Sequence, residues 1–170
     1  RMLAQRRSEK LQRQRGLVLE ALARGVRLER VLLRIARYVE RHRPGAICTL
    51  VTLDGAGERV AASVSTLQEQ NCCNLRGLHI RALPSLYTES LTANGPKLRP
   101  TADGCVWSMP LLATSGKRLG CMILRFPSEA KVREPTPAGP EMTLAQLAGF
   151  AVEARRAEAA LAEMRQRNEL

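Results

Sequence analysis

The sequence of 170 residues predicts an α+β domain, in which one antiparallel sheet carries helices on one face and long helices lie at both chain ends. Three observations support this class. There are two pairs of short apolar segments, and a turn separates the two members of each pair. Apolar residues recur at helical spacings near both ends of the chain. The hydrophobic content of 45% is typical of globular proteins. Consecutive hairpins form antiparallel sheets, which are commonly covered by helices on one side. The length suits a single core.

Two helices are predicted before the first strand. Residues 1–24 are strong helix formers with a narrow apolar face, typical of a coiled-coil or bundle arm. That face consists of Leu11, Val18 and Leu22. A second helix, 26–42, has a broader apolar face that can cover a sheet, and Arg43-Pro44-Gly45 ends it.

Two hairpins follow. Residues 46–53 are apolar and β-branched, Asp54 to Gly57 supply a tight turn, and 58–64 form the return strand. A second hairpin is predicted from strands at 105–112 and 118–126.

The segments around the second hairpin are less regular. Between the hairpins, 78–80 predict a short strand and 84–93 a helix, and the rest of 65–104 is predicted as loop. After the second hairpin, the proline-rich residues 127–140 are also predicted as loop.

A helix is predicted from residue 141 to the end of the sequence, with apolar residues at alternating spacings of three and four. This heptad seam consists of Leu147, Phe150, Ala154, Ala157, Leu161 and Met164. Because a small sheet cannot cover such a long seam, we expect the terminal helices to pair with a second copy. The organisation is therefore an amino-terminal linker or coiled-coil helix at 1–25, a domain at 26–153 and a helical extension at 154–170.

The net charge of +11 is concentrated at the amino terminus, where residues 1–43 hold 13 basic and 4 acidic side chains. No base-stacking aromatic residues or docking motif accompany these arginines, so we expect a solvated helix face and no nucleic-acid site. A DNA-associated regulator using this helix is the alternative. No apolar run is long enough for a membrane span and no secretory leader is present, so we expect a cytoplasmic protein.

The sequence contains no catalytic motif of a hydrolase, nucleotide-binding enzyme or metalloprotease. Five cysteines without CxxC spacing and two separated histidines argue for reduced thiols and against a zinc site. Asp54 is expected to cap its turn. The adjacent Cys72 and Cys73, in a polar segment, are the candidates for redox chemistry. We therefore predict no enzymatic activity, no metal and no cofactor.

Three motifs in order resemble the GAF domain family. Leu53-Asp54-Gly55 closes an apolar strand, Cys105 to Leu111 reads CVWSMPL, and Gly116 to Leu124 reads GKRLGCMIL. The Trp-Ser-x-Pro variant is similar to GAF domains of bacterial sensors, including histidine kinases and proteins of cyclic di-GMP signalling. The resemblance covers Val26 to Glu153. It departs from the family pattern at 81–106, which is shorter than is usual there.

The resemblance implies a GAF/PAS-like sheet with helices on one side and a ligand pocket, roofed by loops, on the other. The ligand is unknown, and the shortened segment removes part of the usual roof. The candidate residues for such a pocket are His79, Tyr87, Trp107 and Met109.

The resemblance also implies a function. It predicts a non-catalytic regulatory module that forms a homodimer through its terminal helices, between an upstream PAS-like sensor domain and a downstream output domain of the same chain. The alternative within the family is a cysteine-dependent methionine sulfoxide reductase, which would use Cys72 and Cys73.

Overall fold

The computed structural model describes residues 2–66, 75–127 and 139–169. The four helices in these ranges are α1 (Met2–Ala23), α2 (Leu28–His42), α3 (Ser85–Thr92) and α4 (Pro140–Glu169). The five strands are β1 (Ile47–Leu53), β2 (Val60–Ser65), β3 (Lys97–Thr101), β4 (Gly104–Leu112) and β5 (Arg118–Pro127). A single 3-10 turn, Ile80–Ala82, precedes α3.

The strands form one sheet in the order β2-β1-β5-β4-β3, and every neighbouring pair is antiparallel. The two predicted hairpins are confirmed as β1–β2 and β4–β5. They join through their first and last strands, since β1 pairs with β5 along Ile47↔Arg125 to Thr52↔Gly120. The predicted α+β class with an antiparallel sheet is therefore correct.

The segment between the hairpins differs from the prediction in two places. Residues 97–101, predicted as loop, form the edge strand β3. Pro100 is compatible with this position because an edge strand has one side without ladder hydrogen bonds. The strand predicted at 78–80 is reduced to a single bridge between Arg59 and His79, followed by the 3-10 turn.

Helices α2 and α4 cover one face of the sheet, and α1 packs on these two helices. We call this the helical face. Its core includes Trp107, which is 1% exposed, and Leu32 of α2, which is fully buried. Burying a large apolar side chain contributes about 1.5–3 kcal/mol. Because this core contains more buried apolar residues than the core on the other face of the sheet, it contributes most of the hydrophobic stabilisation.

The other face of the sheet carries α3 and a smaller core, and we call it the α3 face. The residues of this core are Val51, Leu53, Val60, Leu75, Leu83, Tyr87, Leu91, Val106, Cys121 and Ile123. Strand residues of the two cores alternate along the chain, as in Val106 and Trp107, because successive side chains point to opposite faces.

The end of α2 is tied to the start of α4. Arg43, just after α2, donates from Nε to Glu141 Oε1 in the first turn of α4. The Glu141 side chain is only 2% exposed, whereas Arg43 keeps 24% of its side chain exposed. Nearby, Glu40 Oε1 accepts from Cys48 N at 2.9 Å and from the Thr66 hydroxyl. These contacts fix the helical layer to the first strand.

The three helices of this layer have a defined direction. Arg43 at the end of α2 contacts the start of α4, and Val26 before α2 contacts Arg155 farther along α4. Helix α2 is thus antiparallel to α4, and α1 runs in the same direction as α4, with Arg15 stacked over the Phe150 ring at 5.5 Å. The amino end of α1 and the carboxyl end of α4 therefore lie at opposite ends of the layer.

Candidate functional site

The four residues predicted for a ligand pocket lie on two different faces of the sheet. Trp107 is in the core of the helical face, and Met109 packs against the same core. Tyr87 belongs to the core of the α3 face, and His79 lies beside that face at the bridge to Arg59. The structure therefore brings Tyr87 and His79 to the side where a GAF ligand is expected, and it does not bring Trp107 and Met109 there.

Both residues on the α3 face have polar contacts. The Tyr87 hydroxyl accepts from Arg125 Nη2 at 3.3 Å, although the Tyr87 side chain is otherwise buried. The Nδ1 atom of His79 accepts from the backbone N–H of Arg81 at 3.2 Å, which caps the 3-10 turn. The Tyr87 contact ties α3 to β5, and the His79 contact closes the 3-10 turn that precedes α3.

A cleft of about 410 Å³ lies between α3 and the β3–β4 edge. Its walls include Leu86 and Glu89 of α3, and Ser108 of β4. Glu89 pairs with Arg99 of β3 across the cleft, with both side chains about half exposed. Sequence reasoning missed this cleft because β3, one of its walls, was predicted as loop.

Two buried serine hydroxyls in the described parts of the chain make no hydrogen bond to a nitrogen or oxygen atom. They are Ser63 Oγ of β2 and Ser90 Oγ of α3. Ser90 is fully buried, and Ser63 is directly opposite Val51 of the α3-face core. Ser90 Oγ lies beside the Cys121 thiol and interacts with it, so the hydroxyl that pays the free-energy cost of lacking a partner is that of Ser63.

Two of the cysteines that the structure describes, Cys48 and Cys121, are buried and poor nucleophiles. Burial raises the pKa of the Cys121 thiol to about 12, an effect only partly offset by the neighbouring Ser90 hydroxyl. Burial, together with the negative charge of Glu40, also raises the pKa of the Cys48 thiol. Both thiols therefore stay protonated at neutral pH and serve as small core residues.

The remaining chemical candidates of the sequence fall partly outside the described residues. Cys72 and Cys73 lie there, so the redox hypothesis stays a prediction. In the ranges 2–66, 75–127 and 139–169, His, Cys, Asp and Glu side chains form no group of three that could hold a metal ion. Within the same ranges no helix is both long and apolar enough to cross a membrane.

The predicted seam of α4 changes character along its length. Leu147 is 4% exposed and Phe150 and Ala154 pack at the margin of the helical-face core. Farther along, Ala157 is exposed, and Leu161 and Met164 are 55% and 60% exposed. The first half of the seam is therefore covered within this chain, and the second half is uncovered.

Three charged residues hold α4 where it leaves the domain, and we call them the collar. Glu153 accepts from the backbone N–H and the hydroxyl of Thr114 in the β4–β5 turn, at 3.3 and 2.8 Å. Arg155 donates to the carbonyl oxygen of Val26, between α1 and α2. Arg156 donates to the carbonyl oxygen of Leu53, at the end of β1. One helical turn thus contacts three loops at the same end of the domain.

Sequence reasoning missed the collar. Glu153, Arg155 and Arg156 are residue types that are ordinary for an exposed helix. Their role becomes visible only when the structure shows that the covered half of the seam ends beside them. Their partners are backbone atoms and one turn threonine, which have no pattern that can be read in the sequence.

The turn between β1 and β2 is held by Asp54, as predicted. The Asp54 carboxylate accepts from the backbone N–H of Glu58 at 3.0 Å and of Arg59 at 3.3 Å. The backbone hydrogen bond from Glu58, with those from Arg59 and Gly57, lowers the pKa of Asp54 below its ordinary value of 3.8, and nearby Arg156 acts in the same direction. The carboxylate that caps the turn therefore stays charged at neutral pH.

We expect the stability of the Asp54→Asn variant to fall less than that of the wild type as the pH is lowered. A pKa that is lowered on folding stabilises the protein above the unfolded-state pKa, and this contribution is lost as the pH falls through the folded-state pKa. Melting temperatures measured from pH 7 down to pH 3 should therefore separate wild type and variant at pH 6 and bring them together near pH 3. A constant difference across this range would contradict the assignment.

Solved structures with the same fold support the interpretation of the sheet and its two faces. The GAF domain from an Acinetobacter phosphoenolpyruvate-protein phosphotransferase superimposes with a TM-score of 0.63 at 12% identity, covering 89% of this chain and 98% of that domain. The GAF domain of a predicted sensor histidine kinase from Pseudomonas syringae pv. tomato gives 0.58 at 16% identity, covering 96% and 99%. This chain has the GAF fold.

Sequence comparison with curated proteins also finds similarity to a sensor. A methyl sulfide methyltransferase-associated sensor of Methanosarcina acetivorans is 27% identical over 175 aligned positions, which cover 88% of this chain. The chain spans only 17% of the length of that sensor. No family profile matches the sequence.

The GAF fold also explains the last motif of the resemblance. Gly120, the second glycine of Gly116-Lys117-Arg118-Leu119-Gly120, is in β5 opposite Thr52 of β1. A Cβ atom at Gly120 would be 1.9 Å from the Val51 carbonyl oxygen. Glycine is therefore required there for close packing of the two central strands.

Proposed function

We propose that this GAF domain is a non-catalytic sensory and regulatory module of a signal-transduction protein, which forms a homodimer and acts on an output domain through α4. The observation that carries the proposal is the division of the α4 seam at the collar. Before the collar the apolar seam of α4 is covered by this chain, and after the collar the seam is exposed. The exposed part is therefore suited to pair with a second copy. The sensor named among its relatives is in keeping with this role.

The dimer contact is the uncovered half of the seam. Ala157, Leu161 and Met164 follow one another at spacings of four and three, which keeps them on one face of a helix. Both large side chains are more than half exposed in the single chain. Pairing with the same face of a second α4 would remove this apolar surface from water.

The collar is the element that connects ligand and output. It joins α4 to the turns of both hairpins, so a displacement of either turn changes the position of α4. A ligand that favours one arrangement of the hairpins would shift the population of two packings of the helices. We propose the cleft beside α3 as the place of such a ligand, since it opens between α3 and the sheet and carries the charged pair Glu89 and Arg99 on its walls.

The parent protein would have an upstream PAS-like sensor domain, and a histidine kinase or an enzyme of cyclic di-GMP turnover as its output domain. This finer assignment follows from the Trp-Ser-x-Pro motif at 107–110. The GAF domain itself contributes no catalytic group to that reaction.

We expect Leu161→Glu combined with Met164→Glu to convert a dimer to a monomer, because it places four charges in a twofold seam. Light scattering after size-exclusion chromatography at about 50 µM should show the molar mass halved. Ala159→Glu with Ala162→Glu is the matched control, since both alanines are exposed and lie off the seam. A monomeric wild type, or a dimer that survives the seam variant, would contradict the proposal.

A further inference from the structure

Five arginines form a straight row on the solvent side of α2. Arg27, immediately before the helix, is followed by further arginines at alternating spacings of three and four. The row consists of Arg27, Arg30, Arg34, Arg37 and Arg41, all of which are exposed. At 3.6 residues per turn they occupy about 80° of the helix circumference and extend for about 21 Å along its axis. We call this row the arginine stripe.

The stripe has no carboxylate partner in the described parts of the chain. Of the nearby acidic residues, Glu20 pairs with Arg24, Glu40 accepts from Cys48 N and Thr66, and Glu29 makes no ion pair with the stripe. Among the described residues, the ring contact of the stripe is that of Arg41, whose guanidinium lies 5.5 Å from the centre of the Tyr38 ring. Five like charges at helical spacing repel one another, so the stripe is a costly feature unless negative charges approach it.

An apolar groove of about 340 Å³ runs beside the stripe, between α1 and α2. Arg34 belongs to both the stripe and the groove, and Tyr38 on the rim is 48% exposed. The floor is recessed, since Val18, Val31 and Ile35 are all buried. Such a groove accepts apolar side chains that protrude from another molecule.

The groove and the stripe together point to one kind of partner. We infer that this surface binds an amphipathic helix of another protein, which places its apolar residues in the groove and a flank of glutamates or aspartates along the stripe. The alternating spacing of three and four keeps the stripe straight beside a second helix of the same period. Arginine forks bind carboxylates through two parallel hydrogen bonds, which fixes the register.

Other occupants match the surface less well. The carboxyl-terminal part of α4 in a second copy lacks an acidic flank, because residues 157–169 combine Glu158, Glu163 and Glu169 with Arg165 and Arg167. A nucleic-acid backbone would pair with the stripe but has no apolar side chains for the groove. A bilayer would reach Leu17 and Tyr38 at the rim but would leave the recessed floor of the groove unfilled.

The test uses a designed probe, because the natural partner is unidentified. A fluorescently labelled 21-residue helical peptide carries leucines at spacings of three and four and glutamates on one flank. Two comparison peptides replace the glutamates with lysines, or the leucines with glutamines. Binding to the full chain is measured by fluorescence anisotropy at 0.15 M salt, beside a 24-base-pair DNA duplex and vesicles of anionic phospholipid.

The variants test whether peptide binding depends on the arginine stripe or only on the positive net charge of the protein. Arg30→Gln, Arg34→Gln and Arg37→Gln together should weaken binding of the glutamate peptide at least tenfold. The matched control neutralises Arg76, Arg81 and Arg165, which are exposed and distant from α2 in sequence, and should change binding less than twofold. Leu17→Gln, at a groove residue that is 59% exposed, should weaken binding without unfolding the protein.

The inference is supported if the glutamate peptide binds at least tenfold more tightly than both comparison peptides and only the stripe and groove variants reduce its affinity. Equal loss with the stripe variant and its control would overturn it. So would tighter binding of DNA or vesicles that depends on the stripe alone, and so would the absence of peptide binding at 100 µM. The dimer seam is not involved, so a monomeric protein would leave this test unaffected.

Discussion

Gly120→Ala is expected to be the most destabilising small substitution in this domain. The added methyl group would overlap the carbonyl oxygen of Val51 and lie 2.9 Å from the Cα atom of Thr52. Both atoms belong to the backbone of β1, so no side chain can rotate away. Overpacking of a core costs about 1–3 kcal/mol, and a clash with the backbone of a central strand places this variant at or above the upper end of that range.

The same chemical change elsewhere provides the control. Gly16 is exposed in the middle of α1, and a Cβ atom there meets nothing within 4 Å. Because glycine in a helix is less stable than alanine by roughly 0.5–1 kcal/mol, Gly16→Ala should stabilise the protein. Urea denaturation followed by circular dichroism measures both variants. Equal free energies of unfolding for Gly120→Ala and wild type would show that the β1–β5 contact is looser than the structure indicates.

Arg43→Met is expected to produce the second large loss of stability. Removing the guanidinium leaves the carboxylate of Glu141 buried without its partner, at the junction of α2 and α4. Breaking a buried pair costs about 3–5 kcal/mol, and the partial exposure of Arg43 places the loss toward the lower end.

A double variant tests whether the loss comes from the unpaired charge. Arg43→Met with Glu141→Met replaces the ion pair by apolar residues of similar size, and it should recover most of the stability lost in the single variant. A double-mutant cycle of unfolding free energies measures this coupling. If the single and double variants are equally destabilised, packing of the Arg43 side chain rather than its charge is the main contribution.

The parts of the fold that could be predicted are those encoded locally. A β-branched segment followed by the Asp54-Gly55 turn predicts the β1–β2 hairpin, and the structure contains this hairpin at the same residues. Strand β3 could not be predicted because four of its five residues are exposed, Pro100 among them, so it lacks the apolar pattern of a buried strand. Such an edge strand is stabilised by pairing with β4, a contact that depends on the rest of the sheet.

The same distinction applies to the candidate site. The spacing from Leu147 to Met164 indicated one continuous seam, but the point where it emerges depends on how far α2 and the α1–α2 connection extend beside α4. Likewise, the two-residue period of β4 places Trp107 and Met109 on one face, which the sequence does show. It does not show that this face carries the helices, because that choice is made by packing of the whole layer.

The collar makes α4 a lever. Its fulcrum is the pair of hairpin turns that contact Glu153 and Arg156, and its free arm runs from there to Glu169. Sixteen residues at 1.5 Å per residue give an arm of about 24 Å, so a tilt of about 10° at the fulcrum swings the tip by about 4 Å. The same tilt would move atoms close to the collar much less, so a small rearrangement of the hairpin turns would be largest at the carboxyl end of α4.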